Sequence, residues 1–195
     1  MKGPTTVLRM LYGVTLSAAL AACSDTPLAP ADDPAVNLAK GGATFTEFTA
    51  TDVGAGVVDP GLVEPRDEYL VMRGMVVNTW ITADQPGLSC FSTITINANL
   101  LLVDGTGSLW GKLDCVPLSG EGVWQGSWTG KRQFTPPGTW LTTMKIVLQG
   151  RGGDIDGLQV RAEELNVNTF GTEYFAGPYG LYPFGTISGT ILDPL

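Results

Sequence analysis

The chain has 195 residues, with 19 acidic and 11 basic side chains, no histidine and a formal net charge of −8. An acidic chain without a basic stretch is a poor partner for nucleic acid and for anionic lipid headgroups. The absence of histidine removes the commonest general base and metal ligand, and the serines lie in no Gly-x-Ser-x-Gly setting. We therefore expect no nucleic-acid partner, no metal and no cofactor.

The first 22 residues have the layout of a secretory signal. Lys2 and Arg9 are their only charges, and the apolar run from Met10 to Ala22 is shorter than the roughly 20 residues that a membrane-spanning helix needs. The run ends in Leu20-Ala21-Ala22-Cys23, which resembles the lipobox of bacterial lipoproteins. That resemblance implies cleavage before Cys23 and acylation of its thiol by chains such as palmitate, which would anchor the protein to a membrane. The alternative is an ordinary secretory signal with an incidental cysteine.

The residues after Cys23 bear on location and domain organisation. Ser24 occupies the position at which an aspartate would retain a lipoprotein at the inner membrane, so the resemblance implies an envelope protein of the outer membrane. Residues 23–44 are rich in Pro, Ala and Asp and have no aromatic side chain, which is typical of a flexible tether. We expect a signal peptide over residues 1–22 and a single domain over residues 45–195. Without its signal the chain has 9 Lys and Arg against 19 Asp and Glu, a formal charge of −10.

Two cysteines remain besides the lipidation candidate. Cys90 and Cys115 flank the turn signal Asp104-Gly105-Thr106-Gly107, so a hairpin folded at this turn brings them near each other. In an oxidising compartment outside the cytoplasm, a disulfide is the expected state of such a pair. A zinc site is the alternative, but the chain offers no histidine and no other free thiol as a ligand.

Alternation of apolar and polar residues with a period of two predicts about eight strands. From Thr93 to Leu100, for example, every even-numbered residue is apolar and every odd-numbered residue is threonine or asparagine. No convincing amphipathic helix separates the segments, so an all-β antiparallel fold is predicted. The predicted strands cover Phe45–Thr51, Tyr69–Thr82, Ile94–Leu102, Leu109–Cys115, Val123–Arg132, Trp140–Leu148, Leu158–Glu163 and Thr186–Ile191.

Glycines within these segments favour a small closed barrel over a β-sandwich, which is the alternative. One strand face reads Trp124-x-Gly126-x-Trp128-x-Gly130, and Gly74, Gly111 and Gly189 interrupt other strand patterns. Glycines at alternate positions relieve crowding where a sheet bends sharply, and large aromatic side chains beside them can cover the backbone. The sequence therefore predicts a small closed barrel of about eight antiparallel strands.

Two glycine-based motifs carry a family resemblance. The hairpin turn from Gly150 to Leu158 and the final segment from Phe184 to Ile191 resemble those of calycin-type barrels, in particular the allene-oxide-cyclase and dirigent-like group. The resemblance spans about residues 68–192. It implies a barrel whose interior can hold a small apolar molecule. None of that group's catalytic positions is matched, so none is carried across.

Carboxylates are the remaining candidates for chemistry. Alternation places Glu164 on the face of Val160 and Ala162, where burial would raise its pKa, as a general acid or a ligand-orienting group requires. The favoured interpretation, however, is that the strand ends or bulges there and returns Glu164 to water. Asp154 and Asp156 could ligate calcium, but their turn lacks the ligand spacing of a calcium loop, and a solvated hairpin turn is favoured.

The segment from Gly171 to Phe184 is rich in Gly, Pro and aromatic residues, and it is predicted to form a long loop over one end of the barrel. Its rings could grip an apolar or sugar-like ligand or a partner protein, or they could plug the core. The candidate ligand-binding aromatics of this loop are Tyr174, Phe175, Tyr179 and Tyr182. A fifth candidate, Trp140, lies on the predicted interior face of a strand.

Three functional hypotheses follow. The leading one is a lipid-anchored, extracytoplasmic and non-enzymatic binding module for a small apolar ligand or an envelope partner protein. The second is an isomerase or cyclase-like enzyme that uses one carboxylate, such as Glu164, in an open cavity. The third is a structural envelope lipoprotein without a pocket. An interior filled by side chains such as Trp80, Trp140, Met144 and Leu158 would argue against the small-ligand version of the first.

Overall fold

A computed structural model describes residues 42–135, 138–169 and 184–194. It has nine strands and a short 3-10 helix over Gly153–Ile155. Within the described residues, no helix is long and apolar enough to cross a bilayer. The strands are β1 (Thr44–Asp59), β2 (Leu62–Arg66), β3 (Tyr69–Ala83), β4 (Cys90–Leu101), β5 (Gly107–Pro117), β6 (Val123–Thr135), β7 (Thr139–Arg151), β8 (Gln159–Thr169) and β9 (Phe184–Asp193).

All neighbouring strands are antiparallel, and they close into a barrel. The order around the sheet is β1-β9-β8-β7-β6-β5-β4-β3, and β1 also pairs with β3, for example through Val53 and Trp80. This confirms the predicted all-β closed barrel of eight strands, and the sandwich alternative is wrong. The ninth strand, β2, follows β1 after a break at Pro60 and Gly61 and pairs with the first half of β3.

Inside the barrel, tryptophan side chains lie opposite glycines of the neighbouring strands. Trp128 of β6 lies directly opposite Gly111 of β5, and Trp124 lies opposite Gly150 of β7. A Cβ atom on Gly111 would overlap the Thr95 backbone of β4 and would also lie 3.0 Å from the Trp128 indole nitrogen, so the glycine lets both groups approach. Both tryptophans are buried. The tryptophans therefore lie opposite glycines of the neighbouring strands, whereas Gly126 and Gly130 of their own strand pair with Leu113 and Leu109 of β5.

One interior position was assigned wrongly from the sequence. Trp80 is 47% exposed on the outer face of β3, where its ring lies 4.6 Å from that of Phe91. The reason is a bulge between Met72 and Met75 of β3, with Gly74 at φ +68° between them. A bulge adds a residue to one strand, so it reverses which alternate residues face inward beyond it.

The predicted disulfide is present between Cys90 of β4 and Cys115 of β5. Their Cα atoms are 5.7 Å apart, and both residues are buried. Because Cys115 pairs directly with Ser92, the two cysteines are diagonal neighbours on the interior face. The bond therefore links two adjacent strands inside the barrel, close to the hairpin that joins β3 to β4.

The end of the barrel at the β3–β4, β5–β6 and β7–β8 hairpins is filled with apolar side chains. Leu88 and Ile155 are buried there, and the Trp124 indole N–H donates a hydrogen bond of 2.8 Å to the Gly87 carbonyl oxygen. A cavity of about 30 Å³ in this part of the core, lined by residues such as Phe48 and Val160, has room for about one water molecule. The apolar half of the described interior is therefore packed too tightly to hold a ligand.

Candidate functional site: a polar layer inside the barrel

A row of four polar residues and one glycine crosses five strands on the interior face. They are directly paired from β1 through β9, β8 and β7 to β6, and all five are buried or nearly so. In strand order the row is Asp52, Gly185, Asn166, Thr142 and Arg132. The row leads from the middle of β1 towards the end of the barrel where the β6–β7 hairpin lies and where β8 ends.

Glu164 of β8 lies inside the barrel next to this row. It is 1% exposed, so the interpretation that the strand ends or bulges and leaves Glu164 in water is wrong. Its carboxyl group lies over Gly185, since a Cβ atom there would overlap a Glu164 carboxylate oxygen and lie 2.8 Å from Asn166 Oδ1. The missing side chain on β9 lets Glu164 interact across that strand with Asp52 of β1, which is 4% exposed.

Neutral hydrogen-bonding groups surround the two carboxyl groups. The Asn166 Nδ2 donates to Glu164 Oε1 at 2.7 Å, and the Thr79 hydroxyl group interacts with Asp52. Thr79 is itself hydrogen-bonded to Ser92, with 2.6 Å between the two hydroxyl oxygens. All of these side chains are buried. The carboxyl pair is therefore set in a built polar layer and not in a chance contact of two surface acids.

Burial dominates the electrostatics of the pair. It raises the pKa of Asp52 from 3.8 to about 6, although hydrogen bonds from Thr79, Glu164 and the Val53 backbone oppose the rise. Burial first, and then the negative charge of Asp52, raise the pKa of Glu164 well above its usual value. Two carboxyl groups this close in a low-dielectric interior cannot both ionise at little cost. We therefore expect the pair to hold one proton, on Glu164, and one negative charge near neutral pH.

Two buried polar atoms in this interior have no hydrogen-bond partner among the described residues. One is the acceptor Oδ1 of Asp52, and the other is the indole nitrogen donor of Trp128. Leaving a buried polar atom unpaired costs roughly 1–3 kcal/mol. Trp128 lies in the apolar half, where it is directly paired with Ile146. The atom that indicates where another molecule would form a hydrogen bond in the polar layer is therefore Asp52 Oδ1.

Arg132, at the far end of the polar row, packs against Trp140. The Arg132 guanidinium lies over the Trp140 ring, 4.9 Å from its centroid, and the Trp140 indole N–H donates to the Asp104 carbonyl oxygen at 2.7 Å. Trp140 is buried and also lies 5.5 Å from the Phe134 ring. The structure thus places Trp140 on the interior face, as predicted, and gives it packing and hydrogen-bonding partners of its own.

The remaining candidates divide into two groups. Asp156 stabilises the β7–β8 turn, since its Oδ1 accepts a hydrogen bond of 2.9 Å from the Gly152 N–H, and Asp154 is exposed there. Both aspartates thus belong to a hairpin turn, which is the interpretation that the sequence favoured for this segment. The lipidation candidate and the loop aromatics lie outside the described residues, and they are Cys23, Tyr174, Phe175, Tyr179 and Tyr182.

Four polar residues of the row were missed from the sequence, although the alternation contained them. The predicted strands ended before Asp52 and Asn166, which continue the inward positions of β1 and β8. Thr142 and Arg132 lie within predicted strands, but they were not recognised as inward-facing. A polar residue at an inward position breaks the apolar pattern, so the pattern alone ends the strand too early or leaves that residue unassigned.

Comparison with known proteins found no matching family model, no matching curated protein and no matching solved structure. The site therefore has to be interpreted from its own geometry: a small closed barrel with a packed apolar half and a buried acid pair at the start of a polar row.

Proposed function

We propose that this chain is a lipid-anchored, extracytoplasmic binding protein whose barrel takes a small, largely apolar ligand that forms hydrogen bonds at Asp52 and Glu164. The observation that carries the proposal is the unpaired Oδ1 of Asp52, which lies beside the hydrogen-bonded pairs Thr79–Ser92 and Asn166–Glu164. A ligand donor at that atom would remove the cost of the unpaired acceptor.

The packing of the core supports this location for the ligand. The apolar half offers only a cavity of about 30 Å³, and its end is covered by Leu88 and Ile155. The polar row from Asp52 to Arg132 leads towards the opposite end. A ligand would therefore enter from the end where β8 finishes, with its polar group towards the acid pair.

The anchor part of the proposal rests on the sequence around Cys23. Residues 24–43 separate that cysteine from the first residue of β1, Thr44. The experiment is to express the full chain with an alkyne-labelled fatty acid. Label on the wild type and none on Cys23→Ser supports the anchor, and equal labelling of both contradicts it.

The ligand site is tested by amide chemical shifts in the full-length chain. Six-carbon probes that differ only in their head group are titrated separately: 1-hexanol, hexylammonium and hexanoate. A bound probe should shift the amides of Asp52, Asn166 and Gly185, and it should leave the outer-face amides of Trp80 and Phe91 unchanged. If every probe leaves the three interior amides unmoved in the folded protein, the proposed binding site is wrong.

The acid pair also favours a second candidate function, an isomerase or cyclase that uses acid–base chemistry. A protonated Glu164 beside an ionised Asp52 supplies an acid and a base in one buried place, as such reactions require. The two functions differ in what happens to a bound molecule. An enzyme would convert it, and Glu164→Gln would stop the conversion without unfolding the barrel, whereas a binding protein would release it unchanged, as mass spectrometry of the mixture can establish.

A further inference from the structure

We infer that the polar group recognised at Asp52 and Glu164 is a monovalent organic cation, specifically a primary ammonium group on an apolar body. This inference rests on the proposed binding function and specifies its ligand class. It depends on charge complementarity: the groups that are hydrogen-bonded to the acid pair, as described below, are neutral.

The charge on the pair is shared across β9. Glu164 and Asp52 face each other through the space above Gly185, and the groups hydrogen-bonded to them are the Asn166 amide and the Thr79 hydroxyl, both neutral. From β4, the neighbouring interior group is the neutral Ser92. A buried carboxylate without a cation beside it is unfavourable, and it is strongly stabilised when an ammonium group is placed next to it.

Among the described residues Arg132 is the one buried basic side chain, and its guanidinium lies over the Trp140 ring. The pKa values of Asp52 and Glu164 are shifted by burial, by each other and by neutral hydrogen-bond partners. Arg132 is not among the causes of these shifts. The 14 residues from 170 to 183 contain Glu173 and no lysine or arginine, so the chain between β8 and β9 cannot supply a cation either.

An ammonium group also fits the geometry of the acceptors. It carries three N–H donors and no acceptor, whereas a hydroxyl group carries one donor. The unpaired Asp52 Oδ1 can accept one of these donors, and the oxygens of Glu164 and Thr79 lie in the same layer. A bound cation would stabilise the ionised form of both carboxyl groups, so binding near neutral pH should release part of the proton that the pair holds.

The test compares hexylammonium, 1-hexanol and hexanoate by isothermal titration calorimetry on the full-length chain at pH 7. Because a charge-assisted hydrogen bond is stronger than a neutral one, hexylammonium should bind at least about tenfold more tightly than hexanol. Hexanoate should bind more weakly than either. Repeating the hexylammonium titration in buffers of different ionisation enthalpy should reveal proton release.

Variants separate the contribution of the charge from that of the pocket. Asp52→Asn should weaken hexylammonium by about tenfold or more and leave hexanol nearly unchanged. Glu164→Gln keeps the Asp52 charge, so it should retain hexylammonium binding but lose most of the proton release. The matched control is Glu163→Gln, because Glu163 is the exposed neighbour on the outer face, 4.0 Å from Lys145. Circular dichroism and thermal unfolding establish that each variant is folded.

The outcomes distinguish this inference from the proposed function. If hexanol binds as tightly as hexylammonium, or if a folded Asp52→Asn variant keeps full hexylammonium affinity, the cation inference is wrong while the binding site stands. If none of the three probes binds, the binding function itself is contradicted, and the inference falls with it.

Discussion

The carboxyl group of Glu164 occupies the space above Gly185 where any other residue would place its Cβ atom. Gly185 is directly paired with Asp52 on one side and with Asn166 on the other. The absence of one side chain on β9 therefore brings together two acids from strands that are not neighbours. This relationship organises the polar layer, and it leads to the first prediction.

Gly185→Ala should displace Glu164 and destabilise the barrel by about 1–3 kcal/mol, because the added methyl group overlaps a buried carboxylate oxygen. Urea unfolding at neutral pH measures the loss. Combining Gly185→Ala with Glu164→Ala removes the overlapping atoms, so the double variant should lose less free energy of unfolding than the sum of the single variants. Strict additivity would show that the two side-chain positions do not compete for space.

The raised pKa of Asp52 predicts a specific pH dependence. Between pH 3.8 and about 6 the native state holds a proton that the unfolded chain has released, so the free energy of unfolding falls as pH rises through this window. The Asp52 contribution to that fall is about 3 kcal/mol. Asp52→Asn should flatten the dependence, and Glu163→Gln should not. Urea unfolding from about pH 4 to pH 7 is the measurement, and an unchanged slope in Asp52→Asn would contradict the assignment.

The opposite environments of two tryptophans give a test of the barrel itself. Trp128 is 2% exposed and covers Gly111, whereas Trp80 is 47% exposed on the outer face. Trp128→Ala should therefore cost about 3–5 kcal/mol, and Trp80→Ala about 1 kcal/mol, which is mainly its contact with Phe91. Thermal or urea unfolding of both variants checks the difference. Equal losses would mean that the faces of β3 and β6 are assigned wrongly.

The disulfide between Cys90 and Cys115 should stabilise the fold by roughly 3 kcal/mol, because it closes a loop with a sequence separation of 25 residues. Replacing both cysteines with alanine should lower the free energy of unfolding by that amount while the barrel still forms. The measurement is urea unfolding of the double variant against the oxidised wild type. A reducing agent should lower the wild-type stability by a similar amount and leave the double variant unaffected.

Much of the barrel could be predicted from local pattern. The strands with a clear apolar face, such as β4 and β7, were predicted because their alternation reports which side chains meet the core. β2 was missed, since it has five residues including Pro65 and pairs with β3 along only one edge, which leaves little burial pattern. The bulge at Gly74 was equally hidden, and it moved Trp80 to the outside.

The acid pair could be predicted only by half. Alternation placed Glu164 on the inner face, and this is confirmed. Its partner could not be found from the sequence, because Asp52 is 112 residues away along the chain. The two acids interact because the strand order places β9 between their strands and because Gly185 of β9 has no side chain to separate them. Long-range pairing of this kind depends on topology, which the local period of a strand does not encode.

Carbon-13 NMR of the side-chain carboxyl carbons as a function of pH can establish whether Asp52 and Glu164 share one proton inside the barrel. Asp52 should titrate near pH 6, and Glu164 should remain protonated at neutral pH. Each titration should change when the other residue is replaced by its amide. Two independent titrations near pH 4, unaffected by the partner's replacement, would place both carboxyl groups in water and rule out the shared proton.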